Sequence, residues 1–213
     1  MHSQFYSARS FATLGSFMLA VFMTLTQPLA AQSNKITFKL FPHPKFLACI
    51  QGSNGAPSAE VTITRGSLND TLIIEGKNFK PGLSFDMFTV QRTPLLPGGT
   101  LDSNFTTFGL AWYQSDLHAN AEGEFKTGLR TIFLDQIFGF DPDVSLTPLN
   151  TFHLGFWFND PKKAQACGFD ITKPTPFNGE HNAGPVAMIS VPDANTNLGP
   201  LCTNPGDNGT CNP

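Results

Sequence analysis

The clearest hydrophobic pattern lies in residues 151–160, where two sets of positions alternate. The sets are Phe152, Leu154, Phe156 and Phe158, and between them His153, Gly155, Trp157 and Asn159. Successive side chains of a strand point to opposite faces, so the apolar set predicts a ridge in the core. The mixed set predicts a face toward solvent, a ligand or a covering loop. Asp160 followed by Pro161 predicts that the strand ends in an N-capped helical turn over residues 161–166.

Shorter alternating stretches predict further strands at residues 35–40, 60–65, 71–75, 84–91, 106–114, 124–130 and 186–191. The polar turn between the second and third of these predicts a β-hairpin. In residues 106–114 the alternation places Phe108, Leu110 and Trp112 on one face. Residues 132–140 have apolar spacing closer to a short helix or an irregular covering segment.

Composition supports many tight connections, because the 213 residues include 19 glycines and 17 prolines, together well above the roughly 12% of average usage. We therefore predict an all-β protein, an antiparallel immunoglobulin-like β-sandwich of about eight strands with short helical turns in its loops. The predicted domain covers residues 32–200, and a disulfide-closed tail covers residues 201–213.

Two segments resemble known kinds of protein. The sequence Gly-Lys-Asn-Phe-Lys-Pro-Gly of residues 76–82 resembles a turn of immunoglobulin-like domains of the TIG type, with Phe79 plugging the edge of the sandwich and Pro81 fixing the corner. Residues 157–161 together with residues 175–181 resemble segments of uncharacterised secreted bacterial proteins. The first resemblance implies a sandwich, and neither implies an activity.

The N-terminal segment predicts export. Arg9 precedes an apolar run over residues 17–25, and small residues follow at Ala30, Ala31 and Ser33. This order is typical of a secretory signal peptide, here residues 1–31 with cleavage after Ala31. A membrane anchor is the alternative, but a spanning helix needs ~20 apolar residues. We predict a secreted protein, extracellular or periplasmic, with no transmembrane segment after cleavage.

Four cysteines predict two disulfides in an oxidising compartment. Of the three possible pairings we favour Cys202–Cys211, because residues 204–209 between them consist almost wholly of turn-forming residues. Cys49–Cys167 then links an early loop to the turn after the central strand. A zinc site is the alternative, but the sequence has no Cys-x-x-Cys and no paired histidine spacing.

The net charge and the absence of known motifs limit the classes of function that the sequence favours. The formal net charge of −3 comes without a basic stripe, so nucleic acid is not an expected partner. The sequence contains no nucleophile elbow, His-Glu-x-x-His, phosphate loop or dinucleotide fingerprint, and we expect no cofactor. Asn69, Asn104 and Asn208 begin Asn-x-Ser/Thr motifs, which matter only if the host glycosylates.

Two groups of residues are binding candidates. His153 and Trp157, with Tyr113 nearby and Gly155 leaving a notch between them, predict a surface on which a sugar ring stacks. The alternative is that Trp157 is buried under residues 161–183, since large aromatic side chains are mostly buried. Glu180 and His181 form the second group, which together with His153 is a candidate metal or substrate site. The alternative there is a polar loop that satisfies its own backbone.

From these observations we expect a non-enzymatic exported protein that binds an unknown ligand, either a glycan or another exported protein. The alternative is a secreted metal-binding protein or hydrolase-like enzyme that uses His153, Glu180 and His181.

Overall fold

The computed structural model describes residues 34–133, 153–172, 183–203 and 211. The chain divides into residues 1–32 and a compact unit Ser33–Pro213, and every described residue belongs to the second unit. The predicted signal peptide, Phe152, residues 134–140, Glu180 and His181 therefore lie outside the described residues. No helix within those ranges is both long and apolar enough to cross a membrane.

The regular elements are mostly strands. They are β1 Lys35–Pro42, β2 Ser58–Thr64, β3 Asp70–Lys77, β4 Ser84–Val90, β5 Ala111–His118, β6 Phe125–Thr131, β7 His153–Phe158 and β8 Val186–Ile189. A 3-10 turn at Pro44–Phe46 leads into α1 Leu47–Ile50, and a second 3-10 helix covers Pro161–Cys167. Each paired strand runs antiparallel to its neighbours, which confirms the predicted all-β antiparallel class and the hairpin of β2 and β3.

The strands form one eight-stranded sheet in the order β5-β4-β7-β8-β1-β2-β3-β6. β1 joins two halves, because residues 35–40 pair with β2 while Phe41 and Pro42 pair with β8. β5 and β6, at the two ends of this order, also approach one another. The sheet is therefore nearly barrel-shaped, and the predicted immunoglobulin-like sandwich is not confirmed.

Four phenylalanines hold the two halves of the sheet together. Phe125 comes from β6, Phe85 from β4 and Phe156 from β7, and Phe79 comes from the turn between β3 and β4. Ring centroids lie 5.1 Å apart for Phe79 and Phe125, 4.9 Å for Phe85 and Phe156, and 5.8 Å for Phe125 and Phe156. Tilted and edge-on contacts at such distances add to the free energy of burial. This cluster lies in one large core inside the curled sheet.

Three residues of the segment 76–82 have clear structural roles. Phe79 is buried in the core, and Gly82 has a positive φ of 76°, which favours glycine. Gly76 instead lies within β3 opposite Phe125, where an added Cβ would stand 2.3 Å from that ring. Its glycine is therefore required by the space that the Phe125 ring occupies over the strand.

β7 is buried on both faces, and all six of its residues are buried. Leu154, Phe156 and Phe158 join the main core, as predicted. On the opposite face Trp157 packs edge-on against Phe88 and Phe108, at centroid distances of 5.3 and 5.2 Å. These rings belong to a second apolar layer, together with Val90, Leu95, Ala183, Val186 and Ile189.

The other half of the sheet consists of β1, β2, β3 and β6, and its outer face is polar and open. Thr37 and Thr62 on neighbouring strands share a hydroxyl hydrogen bond of 3.1 Å. Lys126 and Glu75 form an exposed ion pair of 2.6 Å across β6 and β3. Exposed pairs of this kind contribute little to stability, so this half depends on its inner face.

The prediction for residues 106–114 is wrong in register. β5 begins only at Ala111, and Gly109 has a positive φ of 72° that interrupts the alternation before it. Phe108 therefore packs on the second apolar layer, whereas Trp112 packs against the main core. The two side chains lie on opposite sides of the sheet.

Both predicted disulfides are present, Cys49–Cys167 and Cys202–Cys211. The predicted helix start after β7 is also confirmed. The Asp160 carboxylate accepts a hydrogen bond from the Lys162 backbone N–H at 3.0 Å, Pro161 is the first residue of the 3-10 helix, and Gly168 ends it in the left-handed region. This turn delivers Cys167 to its partner on α1.

The two disulfides close loops of very different length, 118 and 9 residues of sequence separation. By loop entropy alone, the long link stabilises by about 5 kcal/mol and the short one by about 2.5 kcal/mol. We expect the Cys49→Ala Cys167→Ala protein to lose about twice the unfolding free energy lost by the Cys202→Ala Cys211→Ala protein, as measured by urea unfolding. Equal losses would show that loop length does not determine their contributions.

Candidate functional site

A cleft of about 450 Å³ opens where the second apolar layer meets the loops around it. One wall comes from the segment after β4, the other from the segment after β8, and the first residue of β7 lies between them. The lining residues are Gln91, Arg92, Thr93, Leu95, Leu96, Asp102, Asn104, Phe105, Thr106, His153, Pro192, Asn197 and Leu198. The volume lies within the ~300–1,000 Å³ usual for small-molecule sites.

The walls are ordered by local hydrogen bonds. Leu96 N–H donates to the Thr100 carbonyl at 2.8 Å, and the Asp102 carboxylate accepts from the Asn104 N–H at 2.8 Å. On the other wall, the Asp193 carboxylate accepts from the N–H groups of Asn195 and Thr196, both at 2.9 Å. These bonds to Thr196 and Asn195 lower the pKa of Asp193. Both walls are thus built from turns whose side chains fix their own backbone.

His153 is the most deeply buried titratable residue of the cleft, with 3% of its surface exposed. It is the first residue of β7, and its Nδ1 atom lies 2.9 Å from the Ser190 hydroxyl oxygen. Ser190 follows β8 and is held by its own backbone, because its N–H donates to the Leu154 carbonyl at 2.9 Å. The imidazole is therefore fixed between two strands.

The Ser190 hydroxyl determines which imidazole nitrogen carries the proton. Its oxygen already accepts the Leu154 N–H at 3.2 Å. A buried hydroxyl proton needs an acceptor, and His153 Nδ1 lies 2.9 Å from the hydroxyl oxygen. Ser190 thus donates to Nδ1, and the proton of the neutral ring is on Nε2. Because Nδ1 is engaged by Ser190, Nε2–H is the polar group of the ring that is left to the cleft.

Burial lowers the pKa of His153 to about 3, an effect that the Ser190 backbone only partly opposes. Desolvation disfavours the charged imidazolium. His153 is therefore neutral at physiological pH and presents an uncharged N–H donor.

Two charged side chains line the same cleft. Arg92 follows β4, with its backbone N–H bonded to the Phe108 carbonyl at 3.0 Å, and it is partly exposed. Its guanidinium forms no ion pair with the rest of the described chain. Asp102 supplies a carboxylate from the same loop. The cleft therefore combines a cation, an anion and a neutral donor with amides and a partly exposed aromatic ring, Phe105.

The residues predicted as a sugar-stacking face do not form one. Trp157 is 1% exposed, and Phe88 and Phe108 contact its ring. Trp157 is therefore buried, as the alternative predicts. The rings that cover it, however, come from residues that precede 161–183 in the chain. The predicted notch at Gly155 is filled, because an added Cβ would lie 2.8 Å from both the Ile189 side chain and the Met188 carbonyl.

Tyr113 lies apart from the cleft, on β5. It is 55% exposed, packs edge-on against Phe88 at 5.7 Å, and donates its hydroxyl to the Asp116 carboxylate at 2.9 Å. Partial burial, the bond to Asp116 and the negative charges of Asp116 and Asp86 raise the pKa of Tyr113 to about 12. Of the three candidate residues that the structure describes, His153 lines the cleft, whereas Trp157 and Tyr113 do not; Glu180 and His181 lie outside the described residues.

Arg92, Asp102 and Ser190 were missed by sequence reasoning. Asp102 follows a segment rich in proline and glycine (residues 94–99), which is typical of a loop, but a loop sequence does not reveal which residues face inward. Ser190 was predicted only as a strand residue. The alternation of apolar Ile189 with polar Ser190 was the available sign that their side chains point to opposite faces. That Ser190 contacts His153 of β7 could not be predicted, because this contact depends on the order of the strands.

His153 makes stability depend on pH. Its pKa is about 3 in the folded protein and 6.5 when exposed, so below pH 6.5 the unfolded chain binds one more proton. Stability is then lost as pH falls from about 6.5 to about 3, at up to about 1.4 kcal/mol per unit. In urea unfolding at pH 6, 5 and 4, we expect wild type to lose stability more steeply than His153→Asn, whose amide oxygen can still accept from Ser190.

The His118→Asn variant, which removes an exposed imidazole from β5, is the control for the loss of one ring. If wild type and His153→Asn lose the same unfolding free energy as the pH falls, the conclusion that His153 is neutral in the folded protein is contradicted.

Comparison of the chain with protein-family models, with curated proteins and with solved structures finds no match.

Proposed function

We propose that this protein is a ligand-binding module and that the cleft at His153 is its binding site for a small polar molecule. The observation that carries the proposal is the imidazole, which is almost fully buried and held by Ser190 through Nδ1. Its Nε2–H is then left to the cleft. A bound ligand that accepts from Nε2 would gain a hydrogen bond to a donor whose position is already fixed.

The cleft has the composition expected for such a role. Apolar side chains (Leu95, Leu96, Leu198 and Phe105) alternate around it with a few polar groups. Small-molecule sites are mostly of this kind, with apolar contact area for affinity and convergent polar groups for orientation. A glycan fragment is one fitting ligand, because sugar rings present both apolar faces and hydroxyls. A docking partner that is itself an exported protein is the other hypothesis for this surface.

The two disulfides are compatible with an oxidising compartment. Export through the signal peptide of residues 1–31 is part of the proposal and rests on the N-terminal sequence pattern. An immunoglobulin-like relationship also remains a hypothesis, which rests on the turn of residues 76–82 and on two sheet halves that enclose a common core.

A metal-binding or hydrolase-like protein that uses His153, Glu180 and His181 is the alternative hypothesis. The neutral imidazole favours it, since metal ligands and general bases need an unprotonated nitrogen. It requires the opposite tautomer, with Nε2 unprotonated. Elemental analysis of the purified protein tests it, since stoichiometric metal that is lost in His181→Ala would favour this alternative over the binding module.

The binding proposal is tested by filling the cleft. Thr106 lines the cleft and is exposed, so we expect a Thr106→Trp protein to fold normally while its indole occupies ligand space. Ligand-observed NMR with a collection of sugars, sugar acids, amino acids and small carboxylates should find at least one compound that binds wild type and no longer binds Thr106→Trp.

Ser103→Trp is the matched control, because Ser103 is exposed on the same loop but does not line the cleft. Compounds specific for the cleft should bind this variant as they bind wild type. Binding that is equal in all three proteins, or no binding by any compound, would contradict the proposal.

A further inference from the structure

The polar groups of the cleft are not distributed evenly. Val90 of β4 is paired in register with His153 of β7, and Arg92 follows Val90 by two residues. Arg92 and His153 therefore line the cleft at the same end of two adjacent strands. Both are hydrogen-bond donors, one charged and one neutral.

Arg92 forms no ion pair within the described chain. The bond of His153 Nδ1 to Ser190 leaves Nε2 as the ring nitrogen that can serve the cleft. A guanidinium presents its N–H groups as a planar fork that matches a carboxylate. A second donor in the same cleft adds to the preference for an anion with more than one oxygen, so this end of the cleft complements a carboxylate.

The Asp102 carboxylate is an acceptor and requires a hydrogen-bond donor from the ligand. One Asp102 oxygen is occupied by the Asn104 N–H at 2.8 Å, and the carboxylate can accept further hydrogen bonds. A second carboxylate of the ligand would be repelled here, whereas a hydroxyl would donate to Asp102. The ligand therefore needs an anionic end and hydroxyl groups elsewhere.

Phe105 adds an apolar surface of limited size. Its ring is partly exposed in the cleft and is fixed edge-on against Phe108 at 4.8 Å. Aromatic faces of this kind contact the C–H surface of a sugar ring. A flat polyaromatic ligand has no hydroxyl groups to donate to the acceptors that surround Phe105.

We propose that the cleft binds a carboxylated sugar, with its carboxylate on Arg92 and His153 Nε2–H and its hydroxyls toward Asp102. This inference rests on the proposed function, because it names the ligand class of the same cleft. The carboxylate completes the hydrogen bonds of two donors, and the sugar ring fills the space beside Phe105.

The test uses D-glucuronate and D-galacturonate, each paired with its neutral parent hexose, D-glucose or D-galactose. Each pair differs only in whether C6 carries a carboxylate. We expect isothermal titration of wild type at low salt to show at least a tenfold higher affinity for one acid than for its parent hexose. Arg92→Gln should reduce this ratio to about twofold or less, because it removes the charge while retaining a polar side chain.

Arg130→Gln is the matched control, since Arg130 is exposed on β6 and outside the cleft. It makes the same charge change and should keep the wild-type ratio. The inference is overturned if acid and hexose bind equally, if neither acid binds, or if Arg92→Gln keeps the ratio. In each of these cases a ligand of another class that is lost in Thr106→Trp would leave the proposed function standing.

Discussion

The contact between Phe125 and the rings of Phe79, Phe85 and Phe156 is the interaction on which the remaining structure depends. Phe125 belongs to β6, at one end of the strand order, whereas Phe85 and Phe156 belong to the opposite half of the sheet. Hydrogen bonds along β1 connect the halves along one line only. Burial of these rings closes the sheet on itself, and Gly76 provides the space that Phe125 needs. Once the sheet is closed, β7 has a core on its inner face, and its outer face must be covered by other residues.

That second requirement produces the cleft. Trp157 cannot be left exposed without a large loss of apolar burial, and Phe88 and Phe108 cover it. Phe108 lies at the end of a loop that begins after Val90, so the covering segment must also pass the first residue of β7. The walls of the cleft are therefore parts of the cover, and His153 lies at its edge. The outer face of the polar half has no such cover among the described residues and carries exposed pairs such as Lys126 and Glu75.

Sequence reasoning predicted what local periodicity determines. The hairpin, the ridge of β7, the N-cap at Asp160 and both disulfides follow from alternation, turn chemistry and cysteine number. It did not predict the closure of the sheet, because register and strand order come from contacts between distant strands. The error at Phe108 and Trp112 has a local cause, the left-handed conformation of Gly109, which glycine permits but does not require. The cleft could not be predicted for both reasons, and among its polar residues only His153 was predicted as a binding residue.

The position of His153 is informative because a purely structural residue there would be better served by an apolar side chain. Burial costs the imidazole hydration, for which the bond of Nδ1 to Ser190 compensates in part. An aliphatic residue of similar size would avoid that cost and extend the second apolar layer toward Leu95. The imidazole is stable in its position as long as Nε2–H has water or a ligand to donate to. Under the proposed function, a ligand that accepts from Nε2 binds the folded state alone, so occupancy of the cleft would stabilise β7.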